Sequence, residues 1–144
     1  MYKEEPKEMT LVIHSLEEAF DEDGVQRLED THTYRGVCYT KNEKIYLKYD
    51  ELQEQVPVTT ILVVTPEEVI IRRTGGMNSR MQFRNHLTYS FLYHTMYGDV
   101  PLTITTKKFD TKIAEGEIRI DLCYDILSQD VVVSYHEIHL EATM

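Results

Sequence analysis

The strongest regularity along the chain is an alternation of apolar and polar positions with a period of two. It is clearest in Glu117-Ile118-Arg119-Ile120-Asp121-Leu122-Cys123-Tyr124-Asp125-Ile126, where even positions are apolar or aromatic and four of five odd positions are charged. That is the pattern of a β-strand with one buried and one wet face. Similar patterning predicts strands near residues 8–14, 33–41, 45–51, 59–65, 68–74, 78–84, 88–97, 100–107, 116–126 and 131–142. Turn chemistry separates them. Thr65-Pro66-Glu67-Glu68 places proline at the second position of a tight turn. Gly75-Gly76-Met77 suits a three-residue hairpin loop and Gly98-Asp99 a two-residue one. One short helix is expected near 15–22, where Ser15 and Glu18 make a capping box and Gly24 stands ready to end it.

Strands joined in sequence by short turns make an antiparallel meander. A sheet of that length closes on itself, which removes its exposed edges. The expected fold is therefore all-β: a closed antiparallel up-and-down barrel of 8–10 strands. It forms a single domain over 1–144, with 1–7 loosely ordered. The turns also set a register, because a one-residue slip inverts a strand. Pro66-Glu67 pairs Val64 with Val69, Leu62 with Ile71 and Thr60 with Arg73. The Gly75-Gly76-Met77 loop pairs Val69 with Phe83, Ile71 with Met81 and Arg73 with Ser79. A loop at Asn85-His86-Leu87 pairs Phe83 with Tyr89, Met81 with Phe91 and Ser79 with Tyr93. The Gly98-Asp99 turn pairs Tyr93 with Ile104 and Thr95 with Leu102. One inward face results, with an apolar layer of Leu62, Ile71, Met81 and Phe91 and a mixed layer of Thr60, Arg73, Ser79, Tyr93 and Ile104. Outside, Glu68 falls opposite Arg84, and Arg72 opposes Arg80. The last strand changes phase between Val131-x-Val133-x-Tyr135 and Ile138-x-Leu140, so a β-bulge is expected near Tyr135–Glu137.

Charge and chemistry narrow the functional classes. The chain has 144 residues and a net charge of -10, with 25 acidic against 15 basic side chains. That balance argues against nucleic acid as a partner. No apolar run is long enough for a membrane helix, and the opening MYKEEPKEMT lacks the apolar core of a signal peptide. Residues 15–30 hold seven acids, read as a solvated face, since the spacing does not match a calcium loop. His136 and His139 stand three apart on a strand and point to opposite faces, so no metal site is expected. Cys38 and Cys123 read as ordinary strand residues. Neither an HExxH nor a GxSxG pattern occurs, and no catalytic residue or cofactor is expected. Arg72, Arg73, Arg80 and Arg84, with Lys107 and Lys108, form a basic stripe. It reads as a salt-bridged face, because Phe83, Tyr89, Phe91 and Tyr93 turn inward, away from any base they might stack on.

The order and spacing of short motifs resemble a family. They are Arg73-x-Gly75, Ser79-Arg80-Met81-x-Phe83, Tyr93-x-Thr95-x-x-Gly98 and Thr105-Thr106. Upstream stand Gly36, Tyr46-Leu47-x-Tyr49-x-Glu51 and Thr59-Thr60-Ile61, and downstream Gly116-x-Ile118 and Leu122-x-Tyr124. Together they are similar to the YwiB-like family of small bacterial proteins of unknown function, over nearly the whole chain. The resemblance implies a lipocalin-like, calycin-type barrel and a cytoplasmic setting, with no activity and no catalytic residues to carry over. One position departs from the pattern: His86 stands in the turn after Phe83 where the family carries glycine.

Arg73 is the most informative residue. A guanidinium turned into a barrel needs a partner. Either Arg73 closes one barrel end against tyrosine rings and a carboxylate such as Glu51, or it anchors a ligand's carboxylate or phosphate. The expected function is binding of a small apolar or amphipathic anionic ligand in the interior, at Arg73, Thr60, Ser79 and Tyr93. The alternative is a barrel filled by its own side chains that acts through its outer surface.

Overall fold

The computed structural model describes residues 5–53, 55–75 and 78–144. Alternating apolar positions become ten antiparallel strands: β1 (Lys7–Asp21), β2 (Gly24–Lys41), β3 (Lys44–Gln53), β4 (Val56–Val64), β5 (Val69–Gly75), β6 (Ser79–Phe83), β7 (Thr88–Thr95), β8 (Gly98–Ala114), β9 (Glu117–Ser128) and β10 (Val131–Thr143). They form one sheet in the order β6-β5-β4-β3-β2-β1-β10-β9-β8-β7. The first and last strands lie side by side, with Ile13 opposite Leu140. The barrel is thus nearly closed, and its seam falls between β6 and β7. Of the N-terminal segment expected to be loose, residues 1–4 lie outside the described part, and β1 begins at Lys7.

No helix occurs among the described residues, and the one expected near 15–22 is strand. Ser15 lies opposite Asp30 on β2 and Ile138 on β10, and Ala19 opposite Gln26 and Ser134. Ladders on both sides satisfy the backbone of this stretch, which outweighs one capping box.

The core follows the alternation. Ile118, Ile120, Leu122 and Tyr124 are buried on β9, while Glu117 and Arg119 are exposed. They pack with Leu11, Leu47, Leu62, Val64, Val69, Phe83, Ile104, Phe109 and Leu140. The register of β4, β5 and β6 is as the turns require: Val64 faces Val69, Thr60 faces Arg73, Val69 faces Phe83 and Arg73 faces Ser79. Arg72 does oppose Arg80, and Arg84 Nη2 lies 3.5 Å from Glu68 Oε2.

Beyond β6 the expected register fails. Among the described residues no ladder joins β6 to β7, so Phe83, Met81 and Ser79 are not paired with Tyr89, Phe91 and Tyr93. The linking loop turns elsewhere. Leu87 N donates to Arg84 O at 2.9 Å, while His86 N donates to Thr106 O and Thr106 N to Leu87 O. The Asn85 side chain binds both the N–H and the carbonyl of Phe109. This loop crosses to β8, and the two strands diverge. His86 has a φ of 62°, the left-handed backbone that glycine adopts at least cost.

The β7–β8 turn lies at Met96-Tyr97, not at Gly98-Asp99. Tyr93 pairs with Val100 and Thr95 with Gly98, rather than with Ile104 and Leu102. The slip is an even number of residues, so the inward face is kept. In β10 the bulge lies between Val132 and Ser134, upstream of the expected Tyr135–Glu137. A second bulge, between Thr106 and Lys108 on β8, has no counterpart in the sequence reading.

Candidate functional site

The inward faces of β1 and β5–β10 line a half-open cavity of about 370 Å³. Met81, Phe91, Leu102 and Ile126 supply apolar wall, and Arg73, Ser79, Tyr93, Tyr124, Ser134, His136 and Glu17 supply polar groups. Three of the four residues singled out by register, Arg73, Ser79 and Tyr93, line this one space. Thr60 does not. It is fully buried beside Arg73 in the ladder, and its hydroxyl lies 3.5 Å from Glu51 Oε1, to which it donates.

Arg73 is held from below. Its Nε is 3.7 Å from Glu51 Oε1, an ion pair too long for a hydrogen bond. This nitrogen is buried and has no hydrogen-bond partner among the described residues. Two tyrosines flank the pair: Tyr34 and Tyr49 stack with centroids 4.6 Å apart. Burial, with the negative charge of Glu51 adding to it, pushes both hydroxyls up to about 12, against the opposing field of Arg73. Burial raises the Tyr124 hydroxyl as well, again opposed by Arg73. Three phenols within the field of one guanidinium therefore stay protonated at neutral pH and keep their O–H donors.

The far wall is built by the β10 bulge. Ser134 and His136 sit two apart after it and share the inward face. Ser134 Oγ is 2.8 Å from His136 Nε2. The imidazole stacks on Tyr124 at 4.7 Å and 6°. Burial lowers the His136 pKa, partly offset by the charges of Glu17 and Asp125, so the ring is neutral at neutral pH. His139, three residues on, lies on the outer face, its Nδ1 2.6 Å from Asp121 Oδ1. The two histidines thus lie on opposite sides of the sheet.

Sequence reasoning missed Glu17, Ser134 and His136 as cavity residues. Glu17 was absorbed into the helix expectation. Ser134 and His136 were hidden because placing the bulge near Tyr135–Glu137 gave Val131, Val133 and Tyr135 the inward phase; of these three, Val133, at the bulge itself, does line the cavity. Alternation backwards from Leu140 through Ile138 would have found Ser134 and His136. Among the aromatics assigned inward, Phe83 is fully buried and Phe91 lines the cavity. Tyr89 instead reaches across the seam, where its hydroxyl accepts from Arg80 Nη1 at 3.1 Å. The basic stripe is dispersed: Arg73 turns inward, Lys107 pairs with Asp125 at 3.3 Å and Lys108 with Asp110 at 3.6 Å. Cys38 and Cys123 lie on β2 and β9 and are not joined in a disulfide. No set of three metal-ligating side chains comes together among the described residues.

The chain is 28% identical over 120 residues to the uncharacterized β-barrel protein YwiB of Bacillus subtilis (strain 168), an alignment covering 83% of this chain and 84% of that one. The crystal structure of the YwiB protein from Bacillus subtilis superposes with a TM-score of 0.79 at 26% identity, covering 98% of this chain and 94% of the other. A family model described as a domain of unknown function (DUF1934) matches residues 15–140. That match spans most of the chain, so the protein belongs to the DUF1934 family of β-barrel proteins.

Proposed function

We propose that the barrel binds a small amphipathic ligand with one anionic group, in the manner of a lipocalin. The observation that carries this reading is the cavity of about 370 Å³ with the Arg73 guanidinium in its wall among apolar side chains. Its size falls within the range of small-molecule pockets, and apolar wall with polar groups converging on it is how such pockets fix a ligand's orientation. Glu17 fixes the polarity of the ligand. It lies on β1, four strands around the wall from Arg73 on β5, so the acidic group belongs at Arg73. A carboxylate there takes the guanidinium fork, with the hydroxyls of Ser79 and Tyr93 lining the same cavity.

The distribution of exposed apolar residues supports an entrance. Most large apolar side chains exposed among the described residues sit at or beside the β1–β2, β3–β4, β7–β8 and β9–β10 turns; Leu28, Leu92 and Ile113 lie away from them. Those at the turns include Leu52, Val56, Met96, Tyr97 and Val131. The cavity's polar residues lie near the same strand ends, so an apolar rim surrounds the mouth.

The competing reading is a filled barrel acting through its outer surface. The Arg73–Glu51 pair favours it, because it gives the guanidinium an internal role. One substitution separates them. With a dansyl-labelled undecanoic acid as probe, Arg73→Met abolishes binding if the cavity is a ligand site, and Arg72→Met leaves it intact. Absence of probe binding to the parent chain, together with a loss of about 2–3 kcal/mol in Arg73→Met, supports the filled barrel. That loss is somewhat below the cost of stranding one member of a fully buried pair.

A further inference from the structure

We propose that two copies of this chain pair through the outer edge of β2, in an antiparallel ladder centred on Leu28. On one side β2 runs along β1 from Gly24 opposite Asp21 to Cys38 opposite Lys7. On its other side β3 covers it only from Gly36 to Lys41. Among the described residues, 24–35 therefore present a row of N–H and carbonyl groups without a strand partner on this side, and residues 24–33 are exposed. Proteins usually blunt such an edge with charged side chains, lysine above all, or with proline, a bulge or a short strand; here the charges, Arg27, Glu29, Asp30 and Arg35, are of both signs and so can pair across a twofold axis. The segment Gly-Val-Gln-Arg-Leu-Glu-Asp-Thr-His-Thr-Tyr-Arg has no proline and no lysine, and its ladder with β1 runs without a bulge.

The side chains favour a second copy of the same strand. A twofold axis through Leu28 sets Leu28 against the second copy's Leu28 and Arg27 against the second copy's Glu29, twice over. It also sets Val25 against Thr31 and Gln26 against Asp30. Such self-complementarity is what a twofold interface requires. Arg27 and Glu29 already lie 2.8 Å apart within one chain, both largely exposed, so pairing turns two isolated ion pairs into a four-charge network. Neighbouring registers are worse. Faces match only when the strand slips by even steps. One slip sets Arg27 on Arg27, the opposite slip sets Glu29 on Glu29, and the next sets Asp30 on Asp30. Like charges directly opposed are destabilising.

The test is sedimentation of the full chain, with charge reversal at the two positions. The expected result is a dimer whose dissociation constant rises by about tenfold or more, roughly 1.4 kcal/mol, in Arg27→Glu and in Glu29→Arg. The double change R27E/E29R should restore it. Amide exchange should show protection of residues 24–32 that grows with protein concentration. A chain that stays monomeric to millimolar concentration overturns the proposal. So does a dimer that survives both single changes, one that the swap fails to restore, or one whose new protection lies outside β2. Circular dichroism of the variants checks folding; both residues are on the surface, where substitutions leave folding intact.

Discussion

At the scale of single residues, His136 shows how burial sets chemistry. The ring stacks on Tyr124, meets the Ser134 hydroxyl and has its pKa lowered by desolvation. A histidine whose folded pKa lies below its unfolded value near 6.5 contributes stability that is whole above that value. The contribution is lost as pH falls through the lowered folded pKa, because the unfolded chain then binds the proton more readily. Unfolding free energy measured by urea between about pH 7 and pH 5 should therefore fall more steeply in the parent chain than in His136→Gln. Equal slopes would mean that the imidazole charges freely in the folded barrel. The sequence showed the ring's neighbour in the ladder, since Tyr124 lies on the plainest strand of all. It did not show the ring's burial, which depends on where β10 bulges. Arg73 was legible for the opposite reason: its ladders to Thr60 and Ser79 run in the register expected from the flanking turn residues, of which Gly76 and Met77 lie outside the described part.

At the scale of elements, alternation decides energetics as well as direction. Leu122 is buried at 1% exposure and Arg119 is exposed. Leu122→Ala should cost about 2–5 kcal/mol, and Arg119→Ala within about 0.5 kcal/mol. Chemical denaturation reads both, and comparable losses would contradict a strand with one wet face. Gly36 obeys a different constraint. A Cβ added there would meet the Lys48 carbonyl oxygen at 2.0 Å, backbone that belongs to the β2–β3 ladder. Gly36→Ala should therefore force the strands apart at the point where β3 begins to cover β2. The expected cost is about 1–3 kcal/mol, the range for overpacking, and a neutral outcome would show that the ladder yields. Strand bodies were legible to within a few residues because their period is simple. The helix expectation over 15–22 failed because a local capping signal says nothing of two neighbouring strands, one of them more than a hundred residues away. Bulges at Val133 and Lys107 were illegible or misplaced, since they change phase without any special residue to mark them.

At the scale of the whole molecule, the position of the seam follows from one loop. A meander invites closure between its first and last strands, and β1 and β10 do pair over ten residue pairs. The remaining opening is internal, between β6 and β7, where Asn85 ties the linking loop to Phe109 through two hydrogen bonds of 2.9 and 2.8 Å. Across the seam only side chains reach among the described residues, chiefly Tyr89 to Arg80. Ser79 and Phe91 line both the interior cavity and a groove on the outside of this seam, so opening the seam opens the cavity. Strands paired on one side only should exchange their amide protons faster than strands held on both sides. The amides of β6 and β7 are therefore expected to exchange well before those of β9 and β1. Asn85→Ala removes both clamps at once and should lower stability by about 1–3 kcal/mol, the cost of leaving partly buried backbone groups of Phe109 without partners. It should also speed exchange along β6 and β7, where local opening of the seam adds to the global loss, by more than along β1 and β10. Exchange in β6 as slow as in β9 would mean that the seam is zipped in solution, and that entry to the cavity runs through the apolar-rimmed mouth alone.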